Sequence, residues 1–90
     1  MKDKRAHIYY QGMVQGVGFR FTAERAAISL RLNGWIKNLD DGGVEVVCEG
    51  GEQGIKLFIE KMASIFNMSK YDIEWSGATG EFEGFDIRFD

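Results

Sequence analysis

The sequence contains no proline, and only one cysteine and one histidine among its 90 residues. Without proline, slow cis–trans isomerisation of an X–Pro bond cannot limit folding. The single cysteine, Cys48, excludes an internal disulfide, and its glutamate neighbours favour packing as a small hydrophobic residue over thiol chemistry. The single histidine, His7, stands among charges, and we expect it at a solvated strand start. No zinc-ligand spacing and no pairing of a nucleophile with a base is therefore indicated.

Long apolar runs are also missing, and the charged first residues are not followed by the apolar segment of a signal peptide. The formal net charge is −3, which argues against a nucleic-acid surface but permits a small anionic ligand. Hydrophobic residues make up 44% of the chain, enough for one compact core. We therefore expect one domain over residues 1–90, acting as a cytoplasmic monomer without nucleic-acid or membrane partners.

The most informative stretch, residues 12–20, reads GMVQGVGFR and follows a β-favouring segment. Glycines permit positive φ, so successive backbone N–H groups can turn inward around an anion. The helix that we expect next adds its own unpaired N–H groups, and Arg20 adds a planar set of donors. The spacing fits neither a dinucleotide fingerprint nor a P-loop. The residues alone indicate a site for a terminal phosphate group, although such a stretch can also be only a tight turn.

The remaining pattern predicts strands over residues 7–14, 35–39, 44–49, 71–76 and 85–90, and helices over 21–32 and 55–66. We interpret Asn33-Gly34 as a helix stop and residues 40–43, reading DDGG, as a hairpin turn. The order β-α-β-β-α-β with a closing strand predicts an α+β, ferredoxin-like sandwich. In that fold an antiparallel sheet carries both helices on one face.

Two other kinds of site fit the sequence less well. Carboxylates for a metal are present, but adjacent aspartates before two glycines are usually turn residues, so we expect no metal site. RNA-recognition modules share the predicted element order, and residues 16–21, reading GVGFRF, resemble part of their aromatic motif. That motif belongs on the third strand, whereas here it follows the first.

Together with LNGWIKNLDDG at 32–42 and FDIRF at 85–89, the first motif resembles the acylphosphatase family over nearly the whole chain. The resemblance implies hydrolysis of the carboxyl-phosphate bond of acyl phosphates, giving a carboxylate and inorganic phosphate, with no cofactor and no metal. It makes Arg20 the phosphate-binding residue and Asn38 the water-orienting residue. The backbone amides that it implies for the phosphate cradle are those of Gln15, Gly16, Val17, Gly18 and Phe19.

The chain departs from the family pattern at two places. Arg31 stands where the family usually has a glycine at the end of the first helix, and residues 67–69, reading NMS, replace a segment that often contains proline. Both departures affect local loop geometry and stability. From the residues alone, two other interpretations stay open: Arg20 as a solvated residue at the helix start, and Asn38 as a residue of the hairpin turn. A noncatalytic phosphate-binding module and an RNA- or protein-interaction domain therefore remain as alternatives to the enzyme.

Overall fold

A computed structural model of the chain describes residues 2–11, 18–68 and 70–89. Its elements are β1 Lys4–Tyr10, α1 Phe19–Ser29, β2 Asn33–Asn38, β3 Val44–Gly50, α2 Glu52–Phe66, β4 Tyr71–Gly77 and β5 Phe85–Arg88. The five strands form one sheet in the order β4-β1-β3-β2-β5. The predicted ferredoxin-like fold is confirmed. The closing strand β5 runs parallel to β2 while the other pairs are antiparallel, so the sheet is mixed.

The core lies between one face of the sheet and the two helices. Alternate residues of the central strands face the helices and are buried, because successive strand side chains point to opposite faces. From the sheet these are Ala6, Ile8, Tyr10, Ile36, Val44, Val46 and Cys48, and from the helices Ala23, Ala26, Ala27, Ile55, Phe58 and Met62. Burial raises the pKa of the Cys48 thiol to about 12, as expected of a residue that packs as a hydrophobe. Within the described ranges, no helix is long and apolar enough to cross a membrane.

Several element boundaries differ from those that the pattern predicts. The first strand begins at Lys4, not at residue 7, because Arg5 lies on the open face of the sheet and has an acidic partner there. Asn33-Gly34 is not a helix stop; it begins β2. An alanine Cβ at Gly34 would lie 1.9 Å from the Val47 carbonyl oxygen, so this glycine permits close strand pairing.

The first helix ends three residues earlier than predicted, in a Schellman motif. The N–H of Leu32 donates to the carbonyl of Ala27 at 2.9 Å, and the N–H of Arg31 donates to that of Ile28 at 3.1 Å. Arg31 adopts φ 59°, the left-handed conformation that glycine usually supplies at this position. Arg31, which stands where the family usually has glycine, therefore has a strained backbone.

His7 lies in the interior of β1, not at a solvated strand start as expected. It faces the open side of the sheet, where its Nε2 is 2.5 Å from Oε2 of Glu45 and its ring centroid is 4.5 Å from that of Tyr9. Local patterns could not predict this contact, because Glu45 lies 38 positions away on the neighbouring strand.

A buried carboxylate, that of Glu49, holds the loop of residues 78–84 against the end of the sheet where β1 begins. Its oxygens accept hydrogen bonds from the backbone N–H groups of Thr79 and Gly80, both at 2.9 Å, and from Nε of Arg5 at 2.8 Å. Burial alone would raise the pKa of the Glu49 carboxyl. These donors outweigh burial and lower that pKa to about 2. Arg5 also pairs with Glu81 of the loop, so a charged network closes the loop onto the sheet.

Candidate active site

The opposite edge of the sheet collects the residues that the sequence motifs singled out. β1 and β2 both run antiparallel to β3, and β5 runs parallel to β2, so all three end at this edge. Helix α1 begins here too, because the Phe19 ring packs edge-on against Tyr10 at a centroid distance of 5.0 Å. The end of β2, the end of β5 and the start of α1 therefore meet in one region.

The start of α1 presents backbone donors to this edge. Gly18 precedes the helix in the left-handed conformation, with φ 77° and ψ 16°, and no side chain of the described residues caps the helix. The first helical bond runs from the Thr22 N–H to the Gly18 carbonyl at 3.0 Å, so the earlier N–H groups have no partner within the helix. A Cβ at Gly18 would meet nothing within 4 Å, so the positive φ, not a lack of space, calls for glycine. Such a helix start favours an anion.

Arg20 lies in the first turn of α1 and is half-buried. Its Cζ is 4.8 Å from the ring centroid of Phe89, just beyond β5, and its Nη1 donates to the Arg88 carbonyl at 3.5 Å. Within the described ranges no carboxylate forms an ion pair with it. A cation at a helix start is unfavourable unless an anion compensates it, so this guanidinium suits an anionic ligand.

Asn38 ends β2 and lies beside Val44 of β3 in the antiparallel register. The turn that follows is held by the Leu39 N–H, which donates to the Gly43 carbonyl at 2.9 Å, and by Oδ1 of Asp41, which accepts from the Gly43 N–H at 2.8 Å. The residues that follow Asn38 thus form the predicted hairpin. The Oδ1 atom of Asn38 is buried and has no hydrogen-bond partner among the described residues, so it plays no part in holding the turn.

The sequence of the whole domain is similar to proteins of one known family. A sequence model of the family described as Acylphosphatase matches residues 6–87. The chain belongs to the acylphosphatase family. An acylphosphatase from Pelotomaculum thermopropionicum is 38% identical over 92 residues, covering 99% of this chain and all of that protein. Acylphosphatases are hydrolases that act on acyl phosphates.

The fold of the chain also matches solved structures, among them an acylphosphatase. The crystal structure of acylphosphatase from Bacillus subtilis matches with a TM-score of 0.88 at 32% identity, covering 94% of this chain and 98% of that one. The crystal structure of full-length HypF in its phosphate- and nucleotide-bound form matches with a TM-score of 0.85 at 26% identity. The match covers 97% of this chain but 12% of HypF, so the same fold also occurs within a much longer protein.

The structure places only some of the residues that the acylphosphatase resemblance implies. Gly18, Phe19, Arg20 and Asn38 are at the shared edge, whereas Gln15, Gly16 and Val17 lie outside the described residues. The Phe19 side chain is buried and packs on Phe66 at 4.7 Å between ring centroids, so only its backbone amide can face a ligand. Across the described part of the chain, no group of three metal-ligating side chains comes together.

Sequence reasoning missed Phe89 as a neighbour of this site. The alternation of residues 85–90 predicts a strand and gives no reason to place its last aromatic ring beside Arg20, which lies 69 positions earlier. The parallel register of β2 with β5 explains the contact once the fold is known. Lys37 pairs with Arg88, and each is followed directly by a residue of the site edge, Asn38 and Phe89. The parallel pairing of β2 with β5 was not among the predictions.

Proposed function

We propose that this chain hydrolyses acyl phosphates to a carboxylate and inorganic phosphate, with binding and catalysis divided between two parts of the site edge. Arg20 and the amides of Gln15, Gly16, Val17, Gly18 and Phe19 bind the phosphate group, and Asn38 orients the attacking water. The observation that carries this division is the meeting of the helix start bearing Arg20 with the buried Oδ1 of Asn38, since among the described residues the first has no side-chain cap and the second no hydrogen-bond partner.

Phosphate binding follows from the donors at the start of α1. Backbone N–H groups and the helix dipole favour negative charge, and the guanidinium of Arg20 matches two phosphate oxygens with parallel hydrogen bonds. In phosphoryl transfer the charge on the nonbridging oxygens must be held in place as the bond to the leaving group breaks. Fixed donors supply this stabilisation without reorganising during the reaction.

Water positioning falls to Asn38. An amide oxygen accepts a hydrogen bond from water while its NH₂ group donates elsewhere. A buried acceptor without a protein partner is costly, and a water molecule that satisfies it would be held in one orientation. The water oxygen attacks phosphorus, the bond from phosphorus to the carboxyl oxygen breaks, and the water proton passes to a nonbridging oxygen of the substrate. The products are the carboxylate and inorganic phosphate.

The leaving group explains why so few residues suffice. A carboxylate departs without needing protonation, so the site requires no general acid. The reaction then depends on positioning and charge stabilisation, which the proposed residues supply.

We further propose that the protein acts as a cytoplasmic monomer on a small acyl phosphate, without nucleic-acid or membrane partners. Its net charge of −3 supports this over a nucleic-acid partner.

Turnover of benzoyl phosphate tests the proposal against a noncatalytic binding module. We expect the protein to release benzoate and inorganic phosphate in equal amounts, and we expect Arg20→Ala to abolish most of this turnover. A protein that binds inorganic phosphate but does not hydrolyse benzoyl phosphate or acetyl phosphate would be a binding module, and the proposed function would be wrong.

A further inference from the structure

Phe89 is a large aromatic residue that remains 76% exposed at the candidate active site. It lies directly after β5, and the Cζ of Arg20 stands over its ring at 4.8 Å from the centroid. The carbonyl of the preceding residue, Arg88, accepts from Nη1 of the same guanidinium at 3.5 Å. The last residue of β5 and the residue that follows it thus both contact Arg20, Arg88 through its backbone carbonyl and Phe89 through its ring.

Arg20 needs such support to keep its guanidinium in one orientation. Its side chain has many rotamers, and fixing them opposes binding through lost conformational entropy. The dipole of α1 disfavours a cation in its first turn, and no carboxylate of the described residues pairs with the guanidinium. The face of an aromatic ring carries partial negative charge, so it attracts the guanidinium without competing for it as a carboxylate would.

We propose that Phe89 is a positioning residue that holds the guanidinium of Arg20 ready for the phosphate group, an inference that rests on the proposed role of Arg20. A guanidinium stacked on a ring keeps its N–H donors in its own plane. One donor is used by the Arg88 carbonyl, and the other four remain for phosphate oxygens. The ring therefore fixes the orientation of Arg20 and leaves its hydrogen-bonding edge free.

The test compares Phe89→Leu, which removes the aromatic face but keeps apolar bulk, with Phe89→Tyr, which keeps the face. Phe82→Leu is a matched control, because Phe82 forms the corresponding contact with Arg5, at 5.1 Å, at the other end of the sheet. The dissociation constant of inorganic phosphate is measured by calorimetry. Values of kcat/KM are measured for acetyl phosphate and for benzoyl phosphate.

We expect Phe89→Leu to weaken phosphate binding about two- to fivefold, the range for losing one exposed cation–π contact. It should lower kcat/KM by a similar factor for both substrates, because the phosphate group is common to them. Phe89→Tyr should restore both values, and Phe82→Leu should leave both at the level of the native protein.

Three results would overturn the inference: unchanged phosphate affinity in Phe89→Leu, a loss confined to benzoyl phosphate, or a Tyr variant as weak as the Leu variant. The second would mean that the ring contacts the acyl group. If Phe89→Leu does not fold, Phe89→Trp decides, since a larger aromatic face should keep or tighten phosphate binding. A native protein that binds phosphate without hydrolysing either substrate would refute the proposed function, while the phosphate affinities still decide the role of Phe89.

Discussion

Arg31 and Asn67 follow the two helices in the same left-handed conformation, with φ 59° and φ 51°. At both ends a 6→1 hydrogen bond closes the helix, from Leu32 N–H to the Ala27 carbonyl and from Met68 N–H to the Ala63 carbonyl. Asparagine tolerates this conformation because its short polar side chain can bond locally, whereas arginine has no such compensation. The two helix ends therefore share a left-handed residue and a 6→1 hydrogen bond, but these residues differ in intrinsic cost.

Replacing Arg31 by glycine should stabilise the protein by about 1 kcal/mol, because glycine adopts the left-handed conformation without strain. The change is measured as a shift of the urea midpoint at constant m-value. Asn67→Gly is the matched control and should shift the midpoint less. An unchanged or lowered midpoint for Arg31→Gly would mean that the arginine side chain makes a compensating contact.

Local patterns predicted the fold because they depend on near neighbours. Ile55, Phe58, Ile59 and Met62 are buried along one stripe of α2, as their helical spacing indicates. The DDGG turn likewise follows from the preferences of aspartate and glycine. In each case the information lies within a few residues of the element.

Contacts between distant segments could not be predicted in this way. The pairing of Glu49 with Thr79 and Gly80 joins positions about 30 residues apart, so composition and periodicity contain no trace of it. The ring of Phe89 beside Arg20 depends on β5 pairing with β2, which alternation alone does not specify. At Asn38 the residues alone favoured a turn role, and only burial of its Oδ1 distinguishes it from its neighbours in the hairpin.

Acid should destabilise the protein through Glu49. The pKa of its carboxyl is about 2 in the folded protein, below the ordinary value of 4.5, so the folded state favours the charged form. The resulting stability is present above pH 4.5 and is lost as the pH falls toward 2, by on the order of 2–3 kcal/mol. Unfolding free energies measured over this range should fall more steeply for the native protein than for Glu49→Gln. The exposed Glu83 in the same loop provides the control, and a Glu83→Gln profile that matched Glu49→Gln would contradict this origin.

Tyr10→Phe should leave stability unchanged or raise it by about 1 kcal/mol. The Tyr10 side chain is 1% exposed, and its hydroxyl has no hydrogen-bond partner among the described residues, so the tyrosine carries the cost of a desolvated polar group. Tyr71, whose ring lies 5.8 Å from that of Tyr10 and is only half-buried, is the comparison and should change by less than about 0.5 kcal/mol on replacement by phenylalanine. A clear loss of stability in Tyr10→Phe would show that the hydroxyl is satisfied in solution.

Hydrolysis should proceed without a divalent metal. In the proposed mechanism Arg20 and the helix-start amides provide the positive charge that phosphoryl transfer otherwise takes from Mg²⁺, and the carboxylate leaving group needs no Lewis acid. Rates with benzoyl phosphate should therefore be equal in the presence and absence of excess chelator. A large loss that added Mg²⁺ or Zn²⁺ restores would contradict the proposed mechanism.

The central claim is that Arg20 binds phosphate and Asn38 acts on the water. Its most direct test measures, for Arg20→Ala and Asn38→Ala, both the turnover of benzoyl phosphate and the rise in melting temperature that inorganic phosphate causes. Asn33→Ala, at the other end of β2, is the matched control and should keep native turnover.

We expect Arg20→Ala to lose turnover and phosphate stabilisation together, because in the proposed mechanism the arginine contacts phosphate in the ground state and in the transition state. Asn38→Ala should lose turnover by about 2–4 kcal/mol of barrier, as for one positioned catalytic hydrogen bond, and should still be stabilised by phosphate. Near-native turnover in Asn38→Ala, or unchanged phosphate stabilisation in Arg20→Ala, would contradict the account.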